Sequence, residues 1–270
     1  MLFRSQDIEG YNVADLDFGL STAKSITVSF WVRSSLTGTY GGAIYSVNAN
    51  RSYVYQYTIN AANTWEQKSI TVSGDTSGTW LKTNGNGMRI YFDLGSGSTY
   101  QNAAGSWVAS QKFSTSGNAN WIGTLSNNLY ITGVQLEVGT VATPFEYRHY
   151  GHELALCQRY LPCFRYDSGG NSILPCQFGF SSTTNGRGAV MFPVQTRVEP
   201  TGYVISSASH FSAFVNDGAV LTGTSTAFAA AGPLCALMDF NVASGGAANR
   251  SFTIGILNSA GYVYFTGSEL

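Results

Sequence analysis

Three histidines, His149, His152 and His210, are all that this 270-residue chain offers for imidazole chemistry. They are too few and too scattered to support much general acid–base work. Cys157, Cys163, Cys176 and Cys235 form no C-x-x-C pair, and a zinc site needs tighter ligand spacing than theirs. They read as free buried thiols rather than disulfides. No G-x-S-x-G, H-E-x-x-H or P-loop occurs. The runs NGNG and GSGSTY lack the strand–helix context of a phosphate cradle and read as hairpin turns. Asp7, Glu9, Asp15 and Asp17 form a loose acidic group whose oxygens suit calcium, but turn-forming Asp in a solvated loop accounts for them more simply. Glycoside hydrolysis needs two carboxylates facing each other across the scissile bond, and Asp17 with Glu66 is one pair that a fold can bring together. Almost any sequence offers such a pair, so the chain is read as a non-enzyme with no cofactor.

Binding chemistry is better represented. A sugar site needs flat aromatic faces for the apolar side of the ring and planar polar groups for the hydroxyls. In KSITVSFWVRSS, Ile26, Val28, Phe30 and Val32 alternate with Thr27, Ser29, Trp31 and Arg33, which is the period of a half-buried strand. In MRIYFDLG, Met88, Ile90 and Phe92 alternate with Arg89, Tyr91 and Asp93. If the aliphatic sets face a core, Trp31, Arg33, Arg89, Tyr91 and Asp93 point outward, and together they can furnish one glycan-binding face. The competing expectation is that a strand, a loop or a neighbouring subunit covers that face. Trp80, Trp107 and Trp121 sit beside Gly/Ser/Asn turns, where a tryptophan serves as a rim platform or, more often, plugs the end of a sandwich.

The elements that position these residues are strands. RSYVYQYTIN places Tyr53, Tyr55, Tyr57 and Ile59 on one face; WEQKSITVSG and NLYITGVQLEVG alternate in the same way. Gly/Ser/Asn/Thr clusters separate the runs, which predicts a two-sheet antiparallel sandwich. All five Trp precede residue 122, whereas all six Pro and all four Cys follow residue 143. So sharp a shift marks a domain boundary near 140–150. The domains expected are 1–147 and 163–270, with 148–162 as a linker carrying a short helix at about 151–161. In GHELALCQRYLP, Leu154, Cys157 and Leu161 fall at i, i+3 and i+7, beside a second apolar stripe of Leu156 and Tyr160. A helix apolar almost all round is expected to be buried, either between the two halves or against its own copies in an oligomer. The second half reads as a smaller β-sandwich, from CFRYD to AGYVYFTGSEL.

Composition fits this reading. Charged residues are 11%, well below the usual quarter or so, and aromatics 14%, which excludes disorder and long-helix architectures. With 14 Lys+Arg against 15 Asp+Glu, the chain has no field to attract nucleic acid. No run of about 18 apolar residues is present, so no helical membrane insertion is expected. MLFRSQDIEG holds no signal-peptide core, and its direct entry into an ordered-looking segment is what a fragment of a longer protein would give.

KSITVSFWVRSS, TWEQKSITVSGDTSGTW and LYITGVQLEVG resemble strands of jelly-roll carbohydrate-binding modules, over roughly residues 1–140. Such modules often carry an Asp pair near the end that helps hold a structural calcium; Thr132 and Gly133 stand there in this chain. ITGVQLEVGTVATPFEYRHYGHELALCQRYL, residues 131–161, resembles a segment of bacteriophage tail fibres, in which such a sandwich is followed by a short helix and a β-rich distal domain; YVYFTGSEL resembles their C-termini. The resemblance implies a virion fibre or receptor-binding protein, usually a homotrimer, attached to other virion tail proteins and directed at a host cell-surface glycan. A purely structural virion component and a polysaccharide depolymerase are the alternatives.

Overall fold

The computed structural model describes residues 3–166, 172–215 and 217–270. The chain divides into two compact units, Met1–Tyr147 with Leu270, and Arg148–Glu269. Both are built from antiparallel strands, so the protein is all-β.

The first unit contains β1 (Phe3–Glu9), β2 (Ile26–Ser34), β3 (Gly38–Ser46), β4 (Arg51–Ile59), β5 (Glu66–Val72), β6 (Asn86–Asp93), β7 (Trp107–Val108) and β8 (Leu129–Val138). They form a five-stranded sheet, β1-β6-β3-β4-β7, and a three-stranded sheet, β5-β2-β8. Alternation along each strand supplies the inner faces. Ile26, Val28, Phe30 and Val32 of β2 are fully buried against Tyr55, Tyr57 and Ile59 of β4 and Met88, Ile90 and Phe92 of β6. Phe30 sits edge-on to Tyr57 and Phe92, at 5.1 and 5.0 Å between centroids, the geometry ring quadrupoles prefer. Tyr55 is buried, and its hydroxyl donates to the Tyr91 carbonyl at 2.6 Å. Gly42 makes that reach possible, because a Cβ there would stand 2.4 Å from the Tyr55 hydroxyl. Trp80 and Trp107 close one end of the sandwich as plugs, packed edge-on against each other and Phe18.

The outer face of the five-stranded sheet carries a second, small core of Ala43, Tyr45, Val54, Tyr91 and Phe113, flanked by Phe3 and Tyr100. It exists because the chain between β6 and β8 folds back across the sheet, laying Phe113 on Tyr91 at 4.4 Å.

The second unit opens with α1 (Tyr150–Tyr160), followed by β9 (Cys163–Arg165), β10 (Ser172–Ile173), β11 (Cys176–Phe180), β12 (Asn185–Met191), β13 (Gly202–Ile205), β14 (Phe211–Val215), β15 (Val220–Ala231), β16 (Cys235–Val242), β17 (Ser251–Ile256) and β18 (Tyr262–Thr266). The order β17-β11-β12-β16-β15-β14 returns to β17 through the β14–β17 pairing, with β10 also on β17. Where a second sandwich is expected from the sequence, the main sheet therefore closes into a six-stranded barrel. Side-chain alternation is the same in both architectures; what turns the corner is β15, long and bulged at Gly223/Ser225 and Phe228/Ala230. Phe178, Phe211, Phe240, Phe252 and Ile254 fill the interior, and a separate sheet, β13-β18-β9, adds Val263 and Phe265 to the same core.

His149 caps α1, its Nδ1 accepting the Gly151 N–H at 3.2 Å, and the helix ends before Pro162. Burial was expected for this helix, yet none of its residues is buried within the chain. Leu156 and Tyr160 are half-buried, whereas Leu154, Cys157 and, just past the helix, Leu161 are exposed, so one apolar stripe is partly covered and the other is not. All four cysteines are free, as expected, but none is buried: Cys157 is exposed on α1, and Cys163, Cys176 and Cys235 are half-buried, each at the start of its strand rather than in a core. Among the described residues no helix is long and apolar enough to cross a membrane.

Candidate functional site

The outer face of the β5-β2-β8 sheet has two halves. Across its lower half, the segment after β8 folds back and is fastened by hydrogen bonds. Thr27 Oγ1 donates to the Gly139 carbonyl at 2.9 Å, Thr71 Oγ1 to the Thr140 carbonyl at 3.1 Å, and the Glu146 N–H to Gln135 Oε1 at 2.8 Å. Glu137 accepts from Thr143 N–H at 3.1 Å and from its hydroxyl; the Gln135 side chain first, and then these Thr143 bonds, hold its carboxyl below the usual range. Thr27 and Ser29, although they point outward, are consequently buried.

The upper half is less covered, with Phe145 of the returning segment reaching only its near edge, where a Cβ on Gly133 would meet Phe145 at 3.8 Å and the Trp31 indole at 3.4 Å. Trp31 lies between Gln67 of β5 and Thr132 of β8, and Arg33 lies opposite Tyr130. Trp65, just ahead of β5, extends that strand past the Glu66–Val32 pair toward Arg33. Trp31, Trp65 and Tyr130 are 41%, 42% and 50% exposed, so each ring is in part accessible to solvent. The Trp65 and Tyr130 rings are 6.4 Å apart, and the Arg33 guanidinium carbon stands 5.8 Å from the Tyr130 centroid, in cation–π range.

Local chemistry explains why this row is ordered. Glu66 accepts the Asn60 and Ala61 N–H groups at 2.8 and 2.9 Å and the Lys68 ammonium at 2.6 Å, which ties the β4–β5 turn to the base of Trp65. The Lys68 bond, with the Ala61 N–H next, holds the Glu66 carboxyl down to about 2. On the far side of that turn the Asn63 N–H donates to the Ser34 carbonyl at 2.6 Å. Ser35 grips the start of β8, its N–H donating to the Asn128 carbonyl at 3.0 Å and its hydroxyl accepting from the Asn128 N–H at 2.9 Å. Beside Trp31, β8 bulges by one residue at Gly133, whose φ of 57° suits glycine, and a Cβ there would meet the indole at 3.4 Å.

Of the five residues assigned to one face from the sequence, the structure keeps only Trp31 and Arg33 together. Arg89, Tyr91 and Asp93 belong to β6, on the opposite sheet, and face away from them. Tyr91 is fully buried beneath Phe3 and Phe113. Arg89 is taken up by Asp7, with Nη2 donating to Oδ2 at 2.6 Å, and by the Tyr91 hydroxyl at 3.0 Å. Asp93 is buried and accepts from the Ser96 N–H at 2.9 Å, closing a turn. The shared face fails because alternation fixes which way a side chain points within its sheet, not which sheet its strand joins.

Trp65 and Tyr130 were missed by the sequence reading. Their signal was parity: each stands beside a residue of inward parity, Glu66 and Ile131, in the runs WEQKSITV and LYITG. Asp17 and Glu66 do not form a catalytic pair. Asp17 ends a short 3-10 turn and accepts from Thr22, near the Val72 end of β5, whereas Glu66 begins that strand. At about 3.3 Å per residue, β5 alone separates them by roughly 20 Å, too far for either glycosidase geometry. The loose acidic group is not a cage either: Asp7 is engaged by Arg89 and Glu9 is buried elsewhere. Among the described residues, no three His, Cys, Asp or Glu side chains gather where a metal ion could sit.

Two hollows lie elsewhere. A cleft of about 620 Å³ follows the open seam between β1 and β8, floored by Ile90, Phe92, Ile131 and Leu136 with Arg4 and Trp121 on its walls. A hollow of about 800 Å³ on the second unit lies over β11, beside Cys176 and Phe178. Searches against protein-family models, curated protein sequences and solved structures find no match to this chain.

Proposed function

We propose that the chain is a bacteriophage virion fibre or receptor-binding protein that attaches non-covalently to host surface glycans through the upper half of the β5-β2-β8 face. The observation that carries this reading is the partly exposed row of Trp31, Arg33, Trp65 and Tyr130 on a paired, rigid sheet. Flat, accessible rings next to a planar cation are what sugar recognition requires. The resemblance of residues 131–161 to tail-fibre segments supplies the virion context and the expectation of partners among other tail proteins. The uncovered Leu154, Cys157 and Leu161 on α1 support a homotrimer, in which the helices cover one another. Three copies would raise a weak sugar contact by roughly 10²–10⁴ in avidity.

The test is retention of the full chain on host cells and on a glycan array, beside a Trp31→Ala/Trp65→Ala double variant. Retention that the double variant loses, with an unchanged melting curve, supports the reading; equal retention overturns it. For the trimer, Leu154→Asp should yield monomers by light scattering, and an unchanged mass removes α1 from the interface.

A purely structural virion role is the second reading. It is favoured by apolar surface left for neighbours in two places, α1 and the seam between β1 and β8. Failure of the native chain to bind any host glycan, together with stable co-assembly with other virion proteins, would select it. Release of reducing ends from host polysaccharide would instead point to a depolymerase.

A further inference from the structure

We infer that the sugar recognised at this face is acidic, with its carboxylate on Arg33 and its ring on Trp31; this rests on the glycan reading above. Arg33 differs from its counterparts. Arg51, Arg89, Arg187 and Arg250 each grip a carboxylate, from Asp75, Asp7, Asp239 and Asp217 respectively. Among the described residues the Arg33 side chain has no hydrogen-bond or ion-pair partner, its one contact of charge being with the Tyr130 ring. Its Nε is buried without a partner, so ring packing rather than a hydrogen bond holds the guanidinium in place. Arg33 as a whole is only half-buried, and its two terminal nitrogens have no side-chain partner among the described residues, so the guanidinium fork is left to bind from outside the chain.

A carboxylate fits that fork with two parallel charge-assisted bonds, whereas a sugar hydroxyl offers a single neutral acceptor. The carboxylate would also supply the counter-charge that no described side chain provides. The acidic neighbours do not compete: Glu66 belongs to the inward-pointing row and is held by Lys68, and Glu137 lies at the covered end, held by Thr143. Spacing agrees as well. Trp31 and Arg33 are two residues apart on one strand face, about 6.6 Å at 3.3 Å per residue. That is the span from the centre of a pyranose ring to an exocyclic carboxylate and the guanidinium beyond it.

Hexuronates and sialic-type nonulosonates share this chemistry, and calorimetry on the full chain separates them. The probes are a hexuronate oligosaccharide, a sialylated oligosaccharide and the carboxyl-reduced form of each. At least one acidic probe should bind about tenfold more tightly than its reduced form, with the advantage shrinking as salt rises. Arg33→Gln should erase that difference while Trp31→Ala weakens both forms. Because the reduced sugars test the native chain, the result stands even if Arg33→Gln folds poorly. Equal affinity for acidic and reduced probes, or no binding to either acidic probe, overturns the inference. The underlying glycan reading fails separately, if Trp31→Ala/Trp65→Ala leaves host-cell retention unchanged.

Discussion

The two outer faces of the first unit begin from the same arrangement and end differently. On β2 an aromatic and an arginine, Trp31 and Arg33, stand two apart between core residues; on β6, Arg89 and Tyr91 do the same. On β6 the arginine found Asp7 and the tyrosine was roofed by Phe3 and Phe113, giving a second core. On β2 the returning segment after β8 reaches only the edge of the pair, where Phe145 comes up to Gly133, and Trp31 remains 41% exposed beside Trp65 and Tyr130. A pattern of outward aromatics and arginines therefore becomes part of a core when a carboxylate and a loop reach it, and stays accessible when they do not.

Substitutions at matching positions break this contrast or sharpen it. Tyr91→Ala should cost about 3–5 kcal/mol in urea unfolding, as large-to-small changes in a packed core do, and leave glycan retention intact. A loss below about 1 kcal/mol would mean that the roof over β6 is loose. Asp7→Asn strips a half-buried arginine of its counter-charge and should cost about 1–2 kcal/mol, discounted for partial exposure, with the effect shrinking in high salt. Trp31→Ala should change stability by no more than about 1 kcal/mol while lowering retention on host cells. A fall in stability matching that of Tyr91→Ala would place Trp31 in a core and end the contrast.

The smallest effect concerns Glu66, which orders Trp65. Its carboxyl is held down to about 2 in the folded chain, against about 4.3 when unfolded. Its contribution is thus fully present above the unfolded value and is lost as pH falls toward 2. Comparing wild type with Glu66→Gln across pH should show a modest stability gap above about pH 5 that closes on acidification. A gap independent of pH would assign the turn's order to something other than this charge.

Much of the fold could be read in the sequence because side-chain direction alternates in strands. Ile26 to Val32, Tyr53 to Ile59 and Met88 to Phe92 all enter the core as that period requires. What alternation cannot encode is the destination of a strand and the cover over its outer side. Those depend on contacts distant in sequence, such as Phe113 on Tyr91 or the Glu146 N–H on Gln135, and each was invisible until the chain was folded. Half of the candidate site was legible for the same reason: Trp31 and Arg33 share a strand, whereas Trp65 and Tyr130 arrive from two other strands by register. The closed second sheet was illegible because inward and outward residues alternate identically whether or not the last strand meets the first.

That closure has a kinetic meaning. With β14 bonded to β15 on one side and β17 on the other, no strand of the ring can peel away singly; two ladders must rupture together. Distant partners must also find each other before the ring can shut, so slow folding and slower unfolding are expected, which stopped-flow refolding and unfolding would check. The persistence of such a body is set by the height of its unfolding barrier as well as by its equilibrium stability.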